Sequence, residues 1–151
     1  MFRKIFLKLS KLYTKLADFI CSRYYSLLLN TSISIYGKIY LVKIENIKIG
    51  KGTTLNHLCY LNAKDKITIG RNCRISSGCK IISTGLERKD NILIHESNEI
   101  KIGNNVWIGA NSVILKGITI VDDVTIGASS LVNKDILEKG VYSGIPAKKH
   151  A

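Results

Sequence analysis

The sequence predicts an all-β protein: a left-handed parallel β-helix of six-residue repeats, preceded by one amphipathic α-helix. Three observations predict it. An aliphatic residue recurs every six positions through most of residues 49–132. A glycine often follows that aliphatic. Before residue 30 the apolar period is instead three to four, the period of a helix.

Residues 1–30 form the predicted helical segment. Phe2, Ile5, Phe6, Leu9, Leu12, Tyr13, Leu16, Phe19 and Ile20 fall at helical steps, with Arg3, Lys4, Lys8, Lys11 and Lys15 mainly between them. Asn30-Thr31-Ser32 ends the pattern. Two roles are open for this helix. It can cap the first coil, because a solenoid end exposes apolar core and unpaired strand edges. It can also lie on an anionic membrane, with its basic flank at the head groups.

Residues 31–151 form the second unit. The aliphatic positions are Ile49, Leu55, Leu61, Ile69, Ile75, Ile81, Ile102, Ile108, Ile114, Ile120, Ile126 and Val132. Three short strands joined by tight corners make a triangular coil of 18 residues, about five coils over residues 31–137. Ile102 is then expected beneath Ile120, and Ile108 beneath Ile126. The fourth residue after each aliphatic also faces the narrow interior. That register holds Thr53, Cys59, Cys73, Cys79, Val106, Ser112, Ile118, Val124 and Ser130. Three of the four cysteines are therefore expected as small buried hydrophobes. They form no Cys-x-x-Cys pair, and no metal site is expected.

The repeat is broken once, between Ile81 and Ile102, by a charged and irregular stretch. An excursion from a rigid scaffold is where binding and catalysis usually sit. It holds Thr84 and His95; the other two histidines are His57 and the near-terminal His150.

Composition narrows the partners. The 151 residues suit one domain, and 46% hydrophobic content with a single proline argues against global disorder. A net charge of +12 attracts an anionic partner. No base-reading motif accompanies it, so nucleic acid is not expected. Lysines interrupt the N-terminal apolar residues too often for a secretory core or a membrane span. A cytoplasmic protein is expected, with peripheral contact to the inner face of the cytoplasmic membrane possible through residues 1–29.

From residue 102 the sequence reads Ile-Gly-Asn-Asn-Val-Trp-Ile-Gly-Ala-Asn-Ser-Val-Ile-Leu-Lys-Gly-Ile-Thr-Ile. Val-Thr-Ile-Gly-Ala-Ser-Ser-Leu-Val-Asn-Lys-Asp and Ser-Gly-Ile-Pro-Ala-Lys follow. These runs resemble the hexapeptide-repeat acetyltransferases, including the bacterial sugar and surface-polysaccharide O-acetyltransferases. The resemblance implies a homotrimer with its active sites in the clefts between neighbouring β-helices. It implies transfer of acetyl from acetyl-coenzyme A directly to a hydroxyl of a sugar or lipid-linked polysaccharide precursor. A histidine would act as general base, the role that side chain suits at neutral pH.

The sugar branch of that family places its histidine directly after a Thr-Gly pair. Here Thr84-Gly85 is followed by Leu86. His95, in the same excursion, is the candidate base, with Glu96 or Glu99 as its orienting group. His57, Asn56, Thr84 and Trp107 are the candidate acceptor-site residues. Trp107, Gly109, Ala110, Gly127, Ala128, Ser129, Lys134 and Lys148 are the candidate contacts to the donor, the lysines for its phosphates. Lys149 is a looser candidate of the same kind.

Other classes remain open. An acceptor of the serine or antibiotic type would use the same site. A non-catalytic β-helix scaffold would explain Leu86. A zinc carbonic anhydrase on this scaffold needs three clustered histidines, which the spacing here opposes.

Overall fold

A computed structural model describes residues 2–150. The side chains of Phe2, Ile5 and Phe6, part of the expected apolar stripe, lie outside the described residues, as does that of Lys8. Helix α1 spans Phe2–Leu28. It ends where Asn30 enters the left-handed region at φ 48° and Thr31 N–H bonds back to Ser26 C=O, a C-terminal cap that asparagine tolerates well.

The chain then winds as a parallel β-helix of about five turns. The first coil is β1 (Ser34–Ile35), β2 (Tyr40–Val42) and β3 (Ile47–Ile49), and the second is β4 (Thr54–Leu55), β5 (Tyr60–Asn62) and β6 (Ile67–Ile69). The third is β7 (Arg74–Ile75) and β8 (Lys80–Ile82), then β9 (Thr84–Lys89) and β10 (Ile92–Ser97), then β11 (Ile100–Ile102). The fourth is β12 (Trp107–Ile108), β13 (Val113–Ile114) and β14 (Thr119–Ile120). The last turn has β15 (Val124–Ile126), β16 (Leu131–Val132) and a single bridge at Ile136, before β17 (Gly140–Ser143) and the antiparallel return β18 (Lys148–Lys149). Equivalent strands stack into three sheets, the faces of a triangular prism. Face one runs β1-β4-β7-β12-β15-β17-β18, face two is β2-β5-β8-β13-β16 and face three is β3-β6-β11-β14.

The core follows the repeat. All twelve aliphatic positions are buried, and so are all nine inward positions that follow them. Ile102 pairs with Ile120 and Ile108 with Ile126, as vertical neighbours. Cys59, Cys73 and Cys79 are buried free thiols. Burial raises the Cys73 thiol above its ordinary value, which leaves it a neutral packing group.

Two expectations need correcting. First, the coil is not uniformly 18 residues. Leu55 pairs with Ile75, a 20-residue step, and Ile75 with Ile108, a 33-residue step. All of the extra length enters at one edge, between faces two and three. Second, the interruption is not irregular: β9 and β10 form a six-pair antiparallel hairpin. Its turn is Asp90-Asn91, at φ 46° and 63°, the two-residue left-handed turn that matches strand twist.

The helix takes one of the two roles left open for it: it caps the first coil, and does so largely through polar side chains. Asp18 Oδ1 accepts Gly37 N–H (2.8 Å); Ser22 Oγ accepts Ile35 N–H (2.8 Å) and donates to Ile35 C=O (3.2 Å). Ser26 Oγ does the same for Ile33, at 3.2 and 3.3 Å. Four helical residues rise about 6 Å and two strand residues about 6.6 Å. The two pitches therefore match, and hydroxyls four apart satisfy strand groups two apart. Cys21, Tyr25 and Leu29 pack on the core beside them.

Candidate functional site

Most candidate residues gather on one edge of the prism. The edge between faces one and two carries Asn56 and His57 in the second coil, Gly109 and Ala110 in the fourth, and Gly127, Ala128 and Ser129 in the fifth. Trp107 stands on face one beside this edge, between Arg74 and Thr125 of the adjacent coils. Its indole is 52% exposed, with Nε1 donating to Ser76 Oγ (3.1 Å), so one flank of the ring stays open. Asn56 Nδ2 donates to Ile75 C=O (3.0 Å), which commits its amide to the scaffold.

The glycines of this edge have a structural explanation. A Cβ on Gly109 would lie 2.5 Å from Ala128 N, and one on Gly127 would lie 2.7 Å from Ser143 Cβ. Their absent side chains let the next layer stack. The N–H groups of Gly109, Gly127 and Ser129 are spent on Ile126, Tyr142 and Ala110 carbonyls.

The lysines divide. Lys148 is exposed on β18, at the C-terminal end of face one. Lys149, beside it, is held by Glu138 at 2.7 Å. Lys134 follows β16 and stands on the opposite edge, between faces two and three, away from Lys148. His150 is exposed and bonds Ser143 Oγ through Nε2 at 2.5 Å.

His57 is exposed, yet its Nδ1 accepts Lys38 N–H (3.1 Å). A backbone N–H can only donate, so Nδ1 is the acceptor and the ring proton sits on Nε2. The outward nitrogen is then a donor and cannot take a proton. His57 closes a corner above Gly37, where a Cβ would lie 2.5 Å from its Nδ1.

Thr84 and His95 lie on the hairpin, at the edge between faces two and three. Thr84 Oγ1 donates to Glu96 C=O (3.3 Å), at the hairpin base. Alternation gives the hairpin two faces. One carries Glu87, Glu96 and Gly85, and it meets Lys116 of the fourth coil. Lys116 Nζ bonds Glu96 Oε2 at 2.5 Å and also bonds Glu87. Its ammonium holds the Glu96 carboxyl well below its usual range, to about 2, and the two carboxylates raise Lys116 in turn. Sequence reasoning missed this anchor; the signal was a lone lysine, Lys116, at the corner where the excursion begins.

The other face carries His95, Leu86, Leu93 and Thr84. His95, Leu86 and Leu93 are exposed. Glu96 points away from the His95 ring and Glu99 pairs with Lys101 at 3.3 Å, so neither orients the ring. Among the described residues no cluster of His, Cys, Asp and Glu could hold a metal. The structure thus brings Trp107, Gly109, Ala110 and Gly127 together and puts His95 on another edge.

Comparison with known proteins places this architecture. A family model for bacterial transferase hexapeptide (six repeats) matches residues 99–134. The galactoside O-acetyltransferase of Escherichia coli K12 is 38% identical over 108 residues, covering 69% of this chain and 53% of that protein. A chloramphenicol acetyltransferase of Morganella morganii is 33% identical over 106 residues, covering 56% of this chain and 50% of its own. The chain spans about half the length of the curated relatives it matches. Among solved structures, a maltose O-acetyltransferase from Clostridium difficile 630 superposes with a TM-score of 0.75 at 33% identity, over 78% of this chain and 65% of that one. A galactoside acetyltransferase in complex with coenzyme A gives 0.72 at 31% identity, over 84% of this chain and 68% of that one. With the repeat, the core register and these relatives in agreement, the chain belongs to the hexapeptide-repeat acetyltransferase family.

Proposed function

We propose that this protein is an acetyl-coenzyme A-dependent O-acetyltransferase acting on a hydroxyl of a bacterial sugar or surface-polysaccharide precursor. One observation carries the reading. An exposed tryptophan and small residues line one edge, a lysine with no carboxylate partner among the described residues stands at the C-terminal end of face one, and a hairpin bearing an exposed histidine stands on the next edge. A relative with this fold is known in complex with coenzyme A. The two half-sites sit on different edges of one prism, so a complete site needs the hairpin of one copy against the Trp107 edge of another. A homotrimer with three such clefts meets that need.

In this reading His95 takes the proton of the acceptor hydroxyl as its oxygen attacks the thioester carbonyl. The carbon–sulfur bond then breaks, and the thiolate of coenzyme A recovers the proton. Lys148 holds the donor's phosphates as a point charge, and Trp107 offers an apolar flank to its pantetheine arm.

Leu86 and Leu93 beside His95 favour a second acceptor class, a less polar alcohol of the antibiotic type. Incubation of the full chain with acetyl-coenzyme A and a panel of nucleotide-linked sugars, lipid-linked sugars and chloramphenicol, read by mass, tests both. A 42 Da gain, the mass of an added acetyl group at about that value, on a sugar supports the first reading. Gain on chloramphenicol alone replaces it with the second, and no gain with no coenzyme A binding supports a non-catalytic scaffold.

A further inference from the structure

The capping geometry of α1 leaves an apolar stripe facing away from the solenoid. Asp18, Ser22 and Ser26 fix one side of the helix to Gly37, Ile35 and Ile33. On a helix of 3.6 residues per turn, Leu9, Tyr13, Leu16, Ile20 and Leu27 fall on the opposite side, and Leu12 on the flank beside them. All six are exposed, Leu12 by 65% and Tyr13 by 75%. Three tie points along two turns prevent the helix from rolling to bury them. A contiguous exposed apolar surface of this size implies a partner.

Charge says which partner. Residues 1–29 hold six basic side chains and one acidic side chain. The acid is Asp18, already engaged by Gly37 N–H. Lys11 and Lys15 are exposed on the flank away from the apolar stripe. Packing such helices together from several copies would bring like charges close, in a chain whose net charge is already +12. An apolar face with a basic opposite face is instead the pattern of a helix lying in the interfacial plane of an anionic bilayer. Lysine stems reach from that position to the head groups. No described helix is long and apolar enough to cross a membrane, so the contact is peripheral.

We propose that the α1 stripe docks the protein on an anionic phospholipid surface, with the rigid cap between Ser22 and Ile35 setting how the solenoid stands on it. The proposal is independent of the acetyltransferase reading, because its test measures binding and not turnover.

The test is co-sedimentation of the full chain with phosphatidylcholine vesicles, with and without phosphatidylglycerol. Binding is expected only with phosphatidylglycerol, and it should weaken as salt rises. Leu12→Glu/Leu16→Glu should abolish it. Lys11→Gln/Lys15→Gln should weaken it by roughly tenfold or more, from the usual contribution of a basic residue near such a surface. Both pairs are exposed, so unfolding curves should stay as in wild type, which separates lost docking from lost fold. Equal binding to neutral vesicles, or wild-type binding by the Leu12→Glu/Leu16→Glu variant, overturns the proposal. So does a smaller assembly in light scattering for that variant together with unchanged vesicle binding, which would assign the stripe to contacts between copies.

Discussion

His95 stands directly across the hairpin from Leu86, as a cross-strand pair on the face turned away from Lys116. Such partners hold their Cβ atoms about 5 Å apart. Leu86 directly follows Thr84-Gly85, the position at which the resemblance leads one to expect a histidine. An imidazole on β10 can therefore work over nearly the same point as one on β9.

This pairing makes a swap informative. His95→Ala should lower turnover by roughly 10²–10⁴-fold, the usual value of a positioned general base. Coenzyme A affinity should hold, since the base meets the acceptor. Leu86→His in the His95→Ala background should restore part of the rate, because the two positions share one face. His57→Ala should keep catalysis, as its outward nitrogen carries a proton. Steady-state kinetics on the four proteins decides it: full activity in His95→Ala, or loss in His57→Ala alone, removes the assignment.

Lys116 ties the hairpin to the fourth coil. Lys116→Met leaves Glu87 and Glu96 facing each other without their shared cation. Amide exchange in residues 84–97 should speed up while the solenoid strands keep their protection. If the hairpin bears the base, turnover should fall with little change in donor affinity. Unchanged exchange would mean that the backbone ladder alone holds it.

Acid should reproduce that release. The Glu96 carboxyl is depressed in the folded protein to about 2, from an ordinary 4.5, first by its bond to Lys116. A depressed acid contributes its stabilisation above the ordinary value and loses it as pH falls through the folded one. Hairpin protection, with each exchange rate referred to that of an unstructured amide at the same pH, should thus fall between pH 4.5 and about 2. Lys116→Met should flatten that dependence, and a flat wild-type profile would dissociate the ion pair from hairpin order.

The core was legible because a six-residue period leaves little freedom: Cys59, Ser112 and Val124 were placed inside by register alone, and each is buried. The hairpin was legible only in its turn. Asp90-Asn91 between Leu-Glu-Arg-Lys and Ile-Leu-Ile-His is a two-residue hairpin signal, but the flanking charge obscured it. The helix and its capping role were legible, but not the residues that make the cap. Its apolar stripe is its strongest periodic signal, whereas the cap is made by Asp18, Ser22 and Ser26, whose spacing carries meaning only beside β1. The two-edge arrangement of the site could not be read from one chain's sequence, because it depends on which corner takes the insertion.

Lys148 and Lys134 separate edge from edge. Lys148→Ala should weaken coenzyme A binding by about 1–2 kcal/mol, the scale of one charge-assisted contact in solvent. Lys134→Ala should leave it unchanged if the donor keeps to one copy's face-one edge. Calorimetry with both variants is the check. An effect from Lys134 equal to that of Lys148 would mean that the donor spans two copies, with phosphate contacts from each.

The stacking explanation of Gly109 yields the last expectation. A methyl there would sit 2.5 Å from Ala128 N, and that nitrogen is backbone in the next coil, so it cannot swing aside. Relief requires the fourth and fifth coils to part, which stretches the Gly109 N–H bond to Ile126 C=O from 2.8 Å. Gly109→Ala should cost about 1–3 kcal/mol, the usual cost of overpacking a closed layer. The loss should appear in denaturant midpoints before any change in coenzyme A affinity. Were Gly109 instead kept bare for the donor's approach, the order would reverse: stability would hold and affinity would fall. Chemical unfolding and calorimetry on the same variant distinguish the two.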